Sequence, residues 1–175
     1  MVELTSRDRL QPSLLDRLID KEPLAQKESA EARVLSRQQL RMAVLRDLSW
    51  LLNTTRAEPE QASERIEEIE RWSQAEFARR SVLNYGTPAF AGSTLSSMDR
   101  GGIERGVTEA ICNFEPRIDP ATLQVEVTID PNNSHNTIQL LIRGQLWSQP
   151  VPLELLLTAD MDIETGNTRV RELRS

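Results

Sequence analysis

An α+β fold, with helices packed on one face of a small antiparallel sheet and a helical arm ahead of it, is predicted by three observations. Apolar residues recur at helical spacing as far as Phe114. Pro116 then stops the helix, because it lacks a backbone donor and drives the preceding residue out of the α region. From Leu123 onward apolar and polar residues alternate, the period of half-buried strands. Short loops between the alternating runs call for an antiparallel meander covered by helices on its apolar face. The division that follows is an arm over 1–35 and a domain over 36–175, with helices in 36–114 and the sheet in 121–173.

In the arm, Pro12-Ser13 opens a short helix from Leu14 to Asp20, with Leu14, Leu15, Leu18 and Ile19 on one face, and Pro23 ends it. Gln26 to Arg33 is charged and alanine-rich. Two helical turns are unstable alone, so the arm must dock on its own domain or on a partner. Ser36 and Gln39 have capping-box spacing. Leu40, Val44, Leu48, Leu51 and Leu52 follow as an apolar face, which Asn53-Thr54-Thr55 ends.

Pro59 to Glu76 is rich in glutamate, with Ile66, Ile69 and Trp72 as a narrow stripe. It reads as a solvated helix, or alternatively as an acidic docking face. Phe77, Val82 and Leu83 lead into the turn Asn84-Tyr85-Gly86-Thr87-Pro88, where the glycine calls for a positive φ or a close backbone approach. Ser96-x-x-Asp99 suggests a second capping box before the face Ile103, Val107, Ala110, Ile111 and Phe114. Gly101, Gly102 and Gly106 each weaken that helix by about 1 kcal/mol against alanine, so they mark a frayed start or close packing. Val107-Thr108 follows Gly106 where a phosphate loop needs Lys-Ser/Thr, and no strand precedes, which rejects a nucleotide site.

Leu123, Val125, Val127 and Ile129 alternate in a first strand, and Asp130-Pro131-Asn132-Asn133 turns the chain. Ile138, Leu140, Ile142, Gly144 and Leu146 form a second strand. Leu153, Leu155 and Leu157 form a third, after Pro150 and Pro152, which suit a strand start or edge. Glu164-Thr165-Gly166-Asn167 is a hairpin turn before a short polar strand from Thr168 to Glu172.

Between helix and sheet stands Phe114-Glu115-Pro116-Arg117. Phe114 anchors the helix end, and two opposite charges flank a stiff proline whose geometry is fixed from both sides. A plain helix stop with two solvated charges is the alternative.

The chain of 175 residues carries net charge −6, which leaves no footprint for nucleic acid or an anionic membrane. No run of about 18 apolar residues exists for membrane insertion, and Val2 to Asp8 lacks a signal-peptide core, so a cytoplasmic chain is expected. The single cysteine, Cys112, excludes an internal disulfide and is expected to be a buried, inert thiol. The single histidine, His135, lacks the neighbours for a metal or nucleophile site, so no metal or cofactor is expected. Glu115 with Asp119 or Glu104 could form a glycosidase pair, but no spacing singles them out among 27 acidic residues. A binding module is favoured over an enzyme.

Four blocks occur in order: Leu10-x-Pro12-Ser13-Leu14-Leu15-Asp16-Arg17-Leu18, Leu51-Leu52-Asn53-Thr54, Ser81-Val82-Leu83-Asn84-Tyr85-Gly86 and Ile111-x-x-Phe114-Glu115-Pro116-Arg117-Ile118. A closing strand pattern through Glu154, Leu155, Leu157 and Thr158 ends near Asp162-x-x-Thr165-Gly166. Together they resemble the TssE family, baseplate subunits of bacterial type VI secretion systems, similar to a small wedge protein of contractile phage baseplates. Thr87 departs from the family, where a larger apolar residue is common before the proline.

The resemblance implies a fold related to the contractile sheath. It implies a structural role in a wedge with TssF, TssG and TssK, as a template for the first sheath ring. It implies that Glu115, Pro116 and Arg117 are protein-binding; the apolar face Leu14, Leu15, Leu18 and Ile19, only two turns long, is itself expected to dock on a partner subunit. The family has also been called lysozyme-like, which supplies a rival: a peptidoglycan hydrolase with Glu115 as general acid.

Overall fold

The computed structural model describes residues 13–19, 36–59, 65–89, 99–129, 137–147 and 152–173. The expectations for Pro12, Pro23, the tether Gln26 to Arg33, Ser96, the turn Asp130 to Asn133, His135 and Pro150 lie outside the described residues.

The elements follow the predicted order. Helix α1 spans Leu14–Leu18, α2 Arg37–Leu52, α3 Ile66–Gln74, α4 Glu76–Arg79 and α5 Arg100–Phe114. Strands β1 (Gln124–Ile129), β2 (Thr137–Leu146), β3 (Leu153–Asp162) and β4 (Thr168–Glu172) form one antiparallel sheet in sequence order. The architecture is the α+β meander that the switch in period predicts.

Local chemistry accounts for the ends. Ser36 Oγ accepts from Gln39 N at 3.1 Å, and Gln39 Oε1 accepts from Ser36 N at 2.8 Å, a reciprocal box that starts α2. Ser13 and Asp16 repeat the arrangement at α1. At α5 the N-cap is Asp99, whose side chain makes no cap bond. The glutamate-rich segment divides at Ala75 into α3 and α4, neither with a fully buried residue.

The core forms where helical and strand periods meet. Leu40, Val44, Leu48, Leu51 and Leu52 of α2 and Ile103, Val107, Ala110 and Ile111 of α5 pack on Ile138, Leu140, Ile142 and Leu146 of β2 and Leu155, Leu157, Ala159 and Met161 of β3. Strand β3 extends five residues beyond the predicted Leu157, because Thr158 to Asp162 pair with Leu141 to Thr137. Ala159 and Met161 continue the inward face with side chains that carry a weaker strand signal than the leucines. Cys112 is a correction: the thiol is exposed, because Ile111 takes the inward position and the next residue turns out by about 100°.

Both sheet edges are partly occupied by a helix side chain. On β1, Glu104 Oε1 of α5 accepts from Val127 N at 3.0 Å. On β4, Asn53 at the end of α2 accepts from Thr168 N at 2.9 Å and donates to Thr168 O at 2.8 Å. Asn53→Ala is expected to remove about 1–2 kcal/mol, chiefly the two hydrogen bonds to Thr168, since the third, to Ser49 O, is exposed. Amide exchange at Thr168 should rise in that variant while exchange in β2 stays slow.

Candidate functional site

The described motif blocks come together around the C-terminal half of α2. Thr54 O accepts from Thr87 N at 2.8 Å and Thr87 O from Arg56 N at 2.9 Å, joining Leu51-Leu52-Asn53-Thr54 to Asn84-Tyr85-Gly86. Gly86 has φ 126°, and a Cβ there would stand 2.8 Å from Arg56 N and closer still to Thr54 O. Positive φ and close approach are therefore both required. Asn84, 5 % exposed, accepts from Glu58 N at 2.9 Å and donates to Arg79 O at 3.1 Å, so one amide closes the loop over itself. Thr87 is buried with both backbone groups paired, and Pro88 lies against α5 where a Cβ on Gly106 would meet its Cγ at 2.5 Å. That contact explains Gly106, whereas Cβ atoms at Gly101 and Gly102 would meet only side chains of Arg105 and Asp99. Tyr85 stacks edge-on against Phe114 with ring centroids 5.1 Å apart, so the turn supports the end of α5.

The corner follows directly. Glu115 caps α5, and the chain then runs beside the end of β2: Trp147 N donates to Arg117 O at 2.8 Å and Asp119 N to Gln145 O at 2.9 Å, with Ile118 buried between them. Helix end and sheet end thus fix Arg117 from both sides.

Glu115 is only 2 % exposed, so the picture of two solvated charges does not hold. Arg117 Nε donates to Glu115 Oε1 at 2.6 Å, Arg117 Nη2 donates to Oε2, and the Arg117 backbone N–H reaches Oε1 at 3.2 Å. Arg117 Nη2 also donates to Asp47 Oδ2 of α2 at 2.5 Å. Burial alone would depress the Arg117 guanidinium, but the Glu115 and Asp47 carboxylates outweigh it and hold the group above its ordinary value. Burial first, then the charges of Asp47 and Glu115, push the Tyr85 phenol up. The corner is an internal brace between α5, α2 and the sheet, with Glu115 buried and Arg117 and Asp47 both partly exposed.

Sequence reasoning missed Asp47. Its signal was an acid between Val44 and Leu48 of a core-facing helix, where a half-buried carboxylate needs a cation.

Helix α1 docks through its polar side. Arg46 Nη1 donates to Asp16 Oδ1 at 2.8 Å, while Leu14, Leu18 and Ile19 are well exposed and Leu15 partly so. Desolvation would raise the Asp16 carboxyl, but the Ser13 hydroxyl and Arg46 overcome it and hold it below the ordinary 3.8. A depressed carboxyl stabilises the docked arm above the unfolded value and loses that contribution as pH falls through the folded value. Amide protection in α1 is expected to hold at pH 5 and collapse below 3.8, as exchange measured across that range will show.

Among the described residues, no group of three or more His, Cys, Asp or Glu side chains could hold a metal, and no helix is long and apolar enough to cross a membrane. No curated protein and no solved structure matches the chain. A family model described as baseplate wedge protein gp25 matches residues 38–151, which take in nearly all of α2, the motif turn, α5, the corner, β1 and β2.

Proposed function

Because this chain belongs to the gp25 family of baseplate wedge proteins, we propose that it is the TssE-type structural subunit of a type VI secretion baseplate. In this reading it works in the cytoplasm, joins a wedge with TssF, TssG and TssK, and nucleates the contractile sheath. The observation that carries the reading is the meeting of three motif blocks of the resemblance, at Thr54, Gly86 and Arg117, around one helix.

The binding surfaces follow from what the fold leaves open. Glu115 shapes the corner from within, whereas Pro116 is exposed and Arg117 partly so, and these two present it. Leu14, Leu15, Leu18 and Ile19 form an apolar face directed away from the docking contact of α1. A partner strand could pair with an edge beyond the side-chain plugs, at Val170 and Glu172 of β4 or Val125 and Ile129 of β1, since alternate residues point outward.

The hydrolase reading fares worse. Both Glu115 oxygens are taken by Arg117, and Glu104 is engaged at Val127. The subunit is proposed to be non-enzymatic, and peptidoglycan turnover abolished by Glu115→Gln in a folded protein would reverse this.

The deciding experiment is co-purification of the chain with TssF, TssG and TssK. Leu14→Ser/Leu18→Ser is expected to melt like wild type, because those side chains are exposed, and to lose wedge binding. Wild-type binding by that variant would remove the arm from the interface. Failure of the wild-type chain to bind any of the three would remove the wedge assignment.

A further inference from the structure

Five side chains of alternating sign run from the arm to the end of α5. Arg46 Nη1 donates to Asp16 at 2.8 Å, and Arg46 Nε donates to Asp47 Oδ1 at 2.8 Å. Arg117 Nη2 donates to Asp47 Oδ2 at 2.5 Å and, with Nε, holds Glu115. Asp47 is the joint of the chain, one oxygen given to each arginine. Side-chain exposures of 26 % for Arg46, 25 % for Asp47, 21 % for Arg117 and 10 % for Asp16 keep the pairs partly out of water, where charge-assisted bonds are strong and directional.

Neither arginine is saturated. Arg46 Nη2 and Arg117 Nη1 are buried without an acceptor among the described residues. Arg46 therefore has an alternative arrangement: released from Asp16, its Nε and Nη2 can take both Asp47 oxygens as a fork. That competes directly with Arg117 Nη2 for Oδ2. The Trp50 ring, 5.3 Å from Arg46 Cζ, gives the guanidinium a surface on which to turn.

We propose that Asp16, Arg46 and Asp47 are positioning residues through which the seating of α1 sets the orientation of Arg117. Drawing the arm away frees Arg46, Arg46 closes on Asp47, and Arg117 keeps Glu115 but loses its hold on α2. Arm capture and corner presentation are then one coupled event. The role of partners rests on the wedge reading, whereas the coupling itself belongs to the isolated chain and is tested there.

The test is NMR of the side-chain Nε–H groups and backbone amides of the full chain, in wild type, Asp16→Asn, Asp16→Glu and Asp47→Asn, each checked by thermal melting. Asp16→Asn is expected to reduce protection in α1, shift the Arg117 Nε–H resonance and speed its exchange several-fold, with little change in melting. Asp16→Glu should restore the wild-type Arg117 signal, and adding Asp16→Asn to Asp47→Asn should move that signal no further. An unchanged Arg117 signal in Asp16→Asn, or an α1 that stays protected there, would overturn the proposal. So would a further shift in the double variant. None of these outcomes bears on binding to TssF, TssG or TssK, so either conclusion can fail without the other.

Discussion

Arg117→Ala is expected to destabilise the isolated chain by about 3–5 kcal/mol, the range for removing one partner of a buried ion pair. The reason is the carboxylate left behind. Glu115 is 2 % exposed, and after the substitution it keeps only the backbone N–H of residue 117. Glu115→Ala should cost less, about 1–3 kcal/mol, because Arg117 is nearer the surface and retains Asp47. In a domain of this size each kcal/mol lowers the melting temperature by roughly 2–4 °C, so the two single variants separate in a calorimeter. The double variant should fall well short of the summed losses, since removing Glu115 as well abolishes the unpaired buried carboxylate that makes Arg117→Ala costly. Equal, wild-type melting of both singles would return the corner to a pair of solvated charges. The same expectation governs any assembly experiment: loss of wedge binding by Arg117→Ala means little until its fold has been measured.

Gly86→Ala is the second large effect, about 3 kcal/mol or more. A φ of 126° strains any L side chain by about 1–3 kcal/mol. The added Cβ would also press on backbone atoms of Thr54, Thr55 and Arg56, which cannot rotate away. Relief requires the turn to leave α2, breaking the Thr87–Thr54 and Arg56–Thr87 bonds and withdrawing Tyr85 from Phe114. Chemical denaturation should show the loss, and exchange at Thr87 N should accelerate more than exchange in the sheet. Gly101→Ala is the control. Its Cβ would meet only the side chains of Arg105 and Asp99, and the helix gains about 1 kcal/mol from replacing glycine. A Gly86→Ala protein as stable as wild type would show that the turn does not hold the corner.

Much of this was legible in the residues. The capping box at Ser36, the apolar faces of α2 and α5, the break at Pro116, the alternation through Ile129 and Leu146 and the hairpin at Gly166 are repeats and interruptions within a few residues. The backbone's own periods, 3.6 residues for helix and 2 for strand, convert such patterns into elements and buried faces. The requirement for glycine at position 86 was visible for the same local reason.

What only the tertiary structure decided was which elements meet, and with them the state of every charge at the corner. Nothing near Glu115 in sequence signals its burial. It arises because α5 ends against Tyr85 and because α2, 70 residues before Arg117, brings Asp47 to the guanidinium. The outward turn of Leu14 and Leu18 depends in the same way on Arg46, 30 residues from Asp16. Periodicity places a side chain on a face of its own helix, whereas ion pairs depend on how rigid elements cross, and that is set by packing the whole core. The sequence by itself determined the elements, their order and their apolar sides. The crossing of α2 with α5 and the sheet turned an apparent pair of surface charges into a buried brace.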